Sequence, residues 1–520
     1  MNERGLAMTK LVMTAVLMSI AVAPTMAQTV KLALTADIRS TNPGVNRDDN
    51  TDGVVLNMVE GLVGYAEDGT VKPLLARGVD RSADGLTYTF RLRPGVKFHN
   101  GAVLRASDVA WAWRRYMDPK TEWRCLGEFD GRNGLKVEAL ETPDDETVVM
   151  RLNKPSAIFL DTLARTDCGM TAIVHADSLK PDGTWDKPVG TGPFRLGEWR
   201  RGQSLTLVRF DDYAPPPGET LDGYVGAKKP EIAEARLIVV PDAATVKVAL
   251  LTGAVDITQA ATSDIPELKA RPDIVVETPS DASKHAFLFQ TRDPLLSNPK
   301  LRQAIAAALD LDQLVEVVSD GTSTASASAV FRNSAYYDAV QQVSFGYDPA
   351  RARRLLQEAG YKGEQIRIVA NKRAPMPSFQ AALVGQAMLR SAGINAEIEV
   401  LEWATQLDRY NAGNYQMMSF SYSARLDPAL SFEQFTGPKD KQPRKVWDNP
   451  AAQALLDRSM VEADPARRGA LFDDLHRMML ADVPLIILYN GSTVWAHARR
   501  ISGFRAWEGK PRLWGTKIAG

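Results

Sequence analysis

From Leu86 to Leu92 the chain alternates. Leu86, Tyr88, Phe90 and Leu92 fall on one face, and Thr87, Thr89 and Arg91 on the other. A two-residue period is that of a half-buried strand. Asp84-Gly85 supplies a turn before it and Pro94-Gly95 a break after it. Ser107 is then placed to cap a helix whose apolar stripe is Val109, Ala112, Trp113, Tyr116 and Met117. The same patterning predicts a first strand over 30–35, a helix over 54–62 and a hairpin-like pair over 137–140 and 147–152. A strand over 235–240 and a helix over 243–251 follow.

Beyond His285 helical and strand periods alternate. A strand over 287–290 leads to Asn298-Pro299, which opens a helix carrying Leu301, Ile305, Ala308 and Leu309 inward. Asp348-Pro349 opens another, with Ala352, Leu355, Leu356 and Ala359 inside and Gly360 at its end. Strand, helix and strand are expected over 366–370, 377–392 and 394–400. A strand over 415–422, a helix over 467–480 and a strand over 484–496 complete the chain, and the class is α/β.

At 520 residues the chain exceeds one core, and about three domain-sized units are expected. Lys plus Arg number 62 against 63 Asp plus Glu, so no global field recruits nucleic acid or an anionic membrane. The start has the pattern of an export signal: Arg4 and Lys10, an apolar run over 11–23, Pro24, then Thr25-Met26-Ala27. Cleavage is expected after Ala27, with no cysteine there to carry a lipid. No later run approaches the roughly 20 apolar residues of a membrane span. The mature chain is thus expected to be exported and, in a bacterium with two membranes, periplasmic.

Catalytic signals are sparse. The five histidines, at 99, 175, 285, 476 and 497, show no HExxH spacing, and GxSxG elbows and Walker loops are absent. Gly190 and Gly192 lack the third glycine of a dinucleotide loop and instead permit a tight crossing between domains. No catalytic residue, metal site or cofactor is expected, although a triad assembled only in space leaves a secreted hydrolase or isomerase as the alternative class.

Several strings are more specific than their periods. "DGLTYTFRLRPGVKFHNG" with "ASDVAWAW", "PVGTGPFRLGEWRRGQSLTLVRFDDY", "PDAATVKVALLTGAVDI", "PKLRQAIAAALD" and "YDPARARRLLQEAGY" together resemble extracellular solute-binding protein family 5, the peptide- and nickel-type binding subunits of ABC importers. The resemblance implies a two-lobed, hinged periplasmic-binding-protein fold of type II with an extra domain inserted in the first lobe. Its segments would be a signal peptide over 1–27, the first lobe over 28–60, 188–285 and 486–520, the inserted domain over 61–187 and the second lobe over 286–485. It implies a monomeric receptor that captures a peptide or similarly sized polar solute and delivers it to a membrane permease and ATPase. Opine, sugar-phosphate or metal-chelate ligands are the alternative. His99, in "KFHNG", is expected to be structural.

Ligands of open α/β sheets collect beyond the carboxyl ends of strands. Arg373 follows the 366–370 strand, and Arg425 follows the 415–422 strand just before Asp427-Pro428. Guanidinium groups there can clamp a carboxylate or phosphate; solvated loop arginines are the plain alternative. The resemblance supports Arg373, because some dipeptide-binding relatives bind a carboxylate in a similar Arg-x-x-x-Pro segment. Those relatives often hold a ligand's amino terminus with an Asp in Trp-x-x-Asp before this position. Here Ser421 and Ala424 stand instead, which points to an anion-bearing solute, with Asp427 or Glu433 left to meet any ammonium. Trp403, Tyr410, Tyr422 and Trp495 are pocket-lining or core aromatics. Cys125 and Cys168, both in the inserted domain of an exported chain, fit a disulfide; two buried thiols are the alternative.

Overall fold

The computed structural model describes residues 29–45, 49–372 and 376–519. The 1–27 signal segment and Arg373 lie outside them. Thr29–Leu34 is the middle strand of a seven-stranded sheet. It runs parallel to Glu234–Val239 and Ile257–Gln259, its two neighbours. Ser204–Arg209 and Phe194–Arg200 extend the sheet on one side, and Trp495–Ala498 and Ile274–Glu277 on the other. Val30, Leu32, Leu205, Leu237 and Ile257 are fully buried in its core, as expected of strands covered on both faces.

A second sheet has the order Ala396–Val400, Ile366–Ala370, Met417–Tyr422, Ser280–Phe289, Leu485–Ser492. Pro299–Ala308, Pro349–Glu358 and Ser378–Ser391 pack on one face through Ile305, Leu355 and Leu389. Pro450–Ser459 and Pro465–Asp482 cover the other through Leu456, Phe472 and Leu475. Asn298 and Asp348 cap their helices by accepting the N–H groups of Lys300 and Arg351, as their sequence positions predict.

The third unit is an antiparallel sheet of Ala76–Arg81, Thr87–Leu92, Thr147–Leu152 and Val137–Glu141. Tyr88, Phe90 and Leu92 point inward and meet Val109, Trp113 and Tyr116 of the helix Ala106–Met117. That helix begins one residue before Ser107, and the Asp108 carboxylate accepts the Arg105 N–H, 2.8 Å. Cys125 and Cys168 are joined in a disulfide.

Two expectations fail. The 54–62 helix stops at Val55, because tertiary bonds claim the backbone beyond. Met58 C=O accepts from Gly192 N–H, Asn57 C=O from Phe194 N–H and Glu60 C=O from Ile173 N–H. A Cβ on Gly192 would sit 2.5 Å from the Met58 carbonyl carbon, so the glycines do permit a close crossing. The 484–496 run, read as one strand, is two: Leu485–Ser492 lies in the five-stranded sheet and Trp495–Ala498 in the seven-stranded one. The outward crossing passes between Glu277 and Ser280, and Ser280 pairs with Ser492 beside the return. Sheet membership therefore changes at 278–279 and 493–494, not at the expected 285/286 and 485/486.

Candidate functional site

The lobes and the third unit enclose a cavity of ≈ 1100 Å³, wide enough for a peptide-sized solute. The carboxyl ends of Thr29–Leu34, Ile366–Ala370 and Met417–Tyr422 open onto it, through Leu34, Asn371 and Tyr422, the usual place for a ligand in open α/β sheets.

One wall is charged and comes from the third unit, with Asp52 of the first lobe beside it. Arg124 donates to Asp52 Oδ2, 2.8 Å, and both side chains are nearly fully buried. Burial pushes the Asp52 carboxyl up to about 7, against the pull of Arg124 and Lys510. Arg165 makes a two-pronged contact with Asp167, 3.0 and 2.8 Å, and reaches Glu128 at 3.2 Å. Burial opposes charge on Asp167, yet the bonds to Arg165, with Arg425 and Arg124 beyond, hold its carboxyl below the usual range. Glu128 follows Cys125 and Arg165 precedes Cys168, so this charged contact spans the two segments the disulfide joins.

Arg425 faces this wall from the second lobe. It is half-buried and donates only to its neighbour's carbonyl, Ala424 O, 2.8 Å. Among the described residues no carboxylate lies within 4.0 Å of it. Burial and the Arg165 guanidinium pull its pKa down. Trp403 and Tyr422 also line the cavity, as does Trp495, whereas Tyr410 is buried behind them and stacks on Phe420 at 4.3 Å.

Asp427 does not join them. It caps Pro428–Glu433 through Ala429 N–H, 2.8 Å, and takes both prongs of Arg468, 2.6 and 2.9 Å, away from the cavity lining. Glu433 pairs with Lys445 at 2.7 Å. Neither carboxylate is offered to a ligand. Asp281 and Glu508, absent from the sequence reading, do face the cavity. Like Arg124, Arg165 and Asp167, Glu508 lies in an irregular segment, and Asp281 lies in a bulged stretch of strand, where no period or motif marks them.

His285 lines the cavity, its Nδ1 2.7 Å from Ser421 Oγ, and burial pushes its pKa down to about 4. His99 is held by Gly192 O and Gly190 N–H at the glycine crossing. Among the described residues no group of three His, Cys, Asp or Glu side chains could hold a metal ion.

Two sheets joined by paired crossings, with a polar cavity at the join, define a hinged solute-binding protein. Residues 70–443 match the bacterial extracellular solute-binding proteins, family 5 Middle, and the chain belongs to that family. It is 29% identical to heme-binding protein A of Haemophilus influenzae over 85% of this chain and 83% of that one. It is 23% identical to the oligopeptide-binding protein OppA of Bacillus subtilis over 91% and 90%. The structure of HbpA2 from Haemophilus parasuis matches with a TM-score of 0.82 at 24% identity, over 94% of this chain and 99% of that one. Members of the family bind solutes outside the cytoplasm, work with ABC permeases and ATPases, and are not enzymes. Among the described residues no helix is long and apolar enough to cross a membrane.

Proposed function

We propose that this chain is the receptor of an ABC importer, capturing a peptide or similarly sized polar solute that carries a carboxylate or phosphate. The observation that carries this reading is Arg425: a desolvated guanidinium on the cavity wall with no described carboxylate beside it. An anion from the solute completes its hydrogen bonding. Arg373 is the second proposed clamp; its neighbours Asn371 and Met376 line the cavity. Trp403 and Tyr422 supply apolar contact. A monomer exported through cleavage after Ala27, without a lipid anchor, hands the solute to a permease and ATPase at the inner membrane.

A zwitterion such as a short peptide is favoured by Asp281, which faces the same cavity and accepts only from Ser283 N–H. Calorimetry against free peptides, N-acetylated peptides and anionic sugar derivatives tests the reading. Arg425→Ala should weaken binding ten- to a hundredfold, about 1.5–3 kcal/mol for a charge-assisted bond, while the exposed Arg354→Ala changes nothing. Tight peptide binding that is lost on N-acetylation and untouched by Arg425→Ala overturns the role given to the anion.

A further inference from the structure

The outgoing strand is longer than its partner where the lobes meet. Ser280 faces Ser492 and Lys284 faces Asn490, four steps against two. The bulge at 281–283 bends the strand and leaves backbone groups without ladder partners. Side chains meet both groups of Ala282 and of Ser283. Glu508 Oε2 accepts from Ala282 N–H, 3.0 Å, and Asp281 Oδ1 from Ser283 N–H, 2.8 Å. Lys284 Nζ donates to Ala282 O, 2.8 Å, and Asn490 Nδ2 to Ser283 O, 3.1 Å.

Of these four, only Glu508 comes from the first lobe's own C-terminal segment. It sits in the turn between Arg505–Trp507 and Lys510–Arg512, at a left-handed φ of 48°, a conformation non-glycine residues rarely adopt. It is buried, and with Asp281 and Ser283 it forms the back of the cavity. We infer that residues 281–283 are the hinge and that Glu508 clamps it: its bond to Ala282 restrains the angle between the lobes in the solute-free protein. This goes beyond the solute reading and is independent of which solute the cavity takes.

The groups facing Glu508 are Asp281 and Lys284 on the crossing strand and Lys510 on its own hairpin. Burial, then the Asp281 charge, pushes its carboxyl up to about 8, so near neutral pH the clamp is an uncharged acceptor that glutamine reproduces. The test is hydrogen exchange of the 280–284 peptide, with small-angle scattering, on the exported chain without added solute. At pH 7, Glu508→Ala should speed exchange there about tenfold, the loss of one hydrogen bond, and broaden the distribution of lobe separations. Glu508→Gln should match the parent. Should Glu508→Ala not fold, the parent decides alone: opening the hinge lets the carboxyl ionise at its ordinary pKa of 4.5 instead of about 8, so after correction for intrinsic rates the parent's 280–284 exchange should rise as pH goes from 4.5 towards about 8, and that of Glu508→Gln should not. Parent-like exchange in Glu508→Ala, equal effects of Ala and Gln, or no pH step in the parent each overturn the clamp.

Discussion

Opening the Cys125–Cys168 disulfide tests how the charged wall is held. The bridge closes a loop of 43 residues. Chain entropy for such a loop is about 13 cal/mol/K, so reduction should cost about 4 kcal/mol at 25 °C, a large share of the roughly 5–15 kcal/mol that holds a domain together. Beside the bridge, Trp123 Nε1 donates to Cys168 O, 3.0 Å, and the local backbone at the two ends is irregular. One side has only the short turns Pro119–Thr121 and Leu126–Glu128. The other is Thr166–Thr171, in which Gly169, Met170 and Thr171 are left-handed. The loss therefore falls on Arg124, Glu128, Arg165 and Asp167, and the ion pair from Arg165 to Glu128, 14% and 34% exposed, is too solvated to replace the bond. Urea unfolding of oxidised protein, reduced protein and a Cys125→Ala/Cys168→Ala variant should show the shift. Trp123, stacked on Phe129 at 5.6 Å, is one of ten tryptophans, so the fluorescence difference between the parent and Trp123→Phe reports the region. An unchanged midpoint with both thiols shown free refutes the reasoning, as does alkylation of both cysteines in denatured, unreduced protein.

Asp427→Ala should destabilise by about 3–5 kcal/mol, because Arg468 is left as a buried charge without its partner, while solute affinity stays within about twofold. A variant as stable as the parent in urea, or a folded one that no longer binds, contradicts the structural role. Acid should loosen the fold through His99 and His285, whose pKa values burial lowers from 6.5 to about 4. The unfolded chain takes up these protons first, so stability is lost as pH falls from about 6.5 towards 4. Replacing both histidines by glutamine should flatten urea midpoints across that window, and an equally steep profile would count against it.

Local order was legible wherever a period or a cap acts between near neighbours. Tyr88, Phe90 and Leu92 alternate because one face of a sheet is covered, and Asn298 and Asp348 announce their helices by bonding within the first turn. Arg425 was found because a strand end and a following loop are both visible in the sequence. The contacts at long range were not. Met58 and Glu60 leave a helical pattern because Gly192 and Ile173 bond their carbonyls, and Asp427 is withdrawn from the cavity by Arg468, 41 residues on. Glu508 meets Ala282 across 226 residues. A side chain's type sets what it can bond. Which partner reaches it first, and whether water is left beside it, depends on how distant segments fold together, and that decided the cavity.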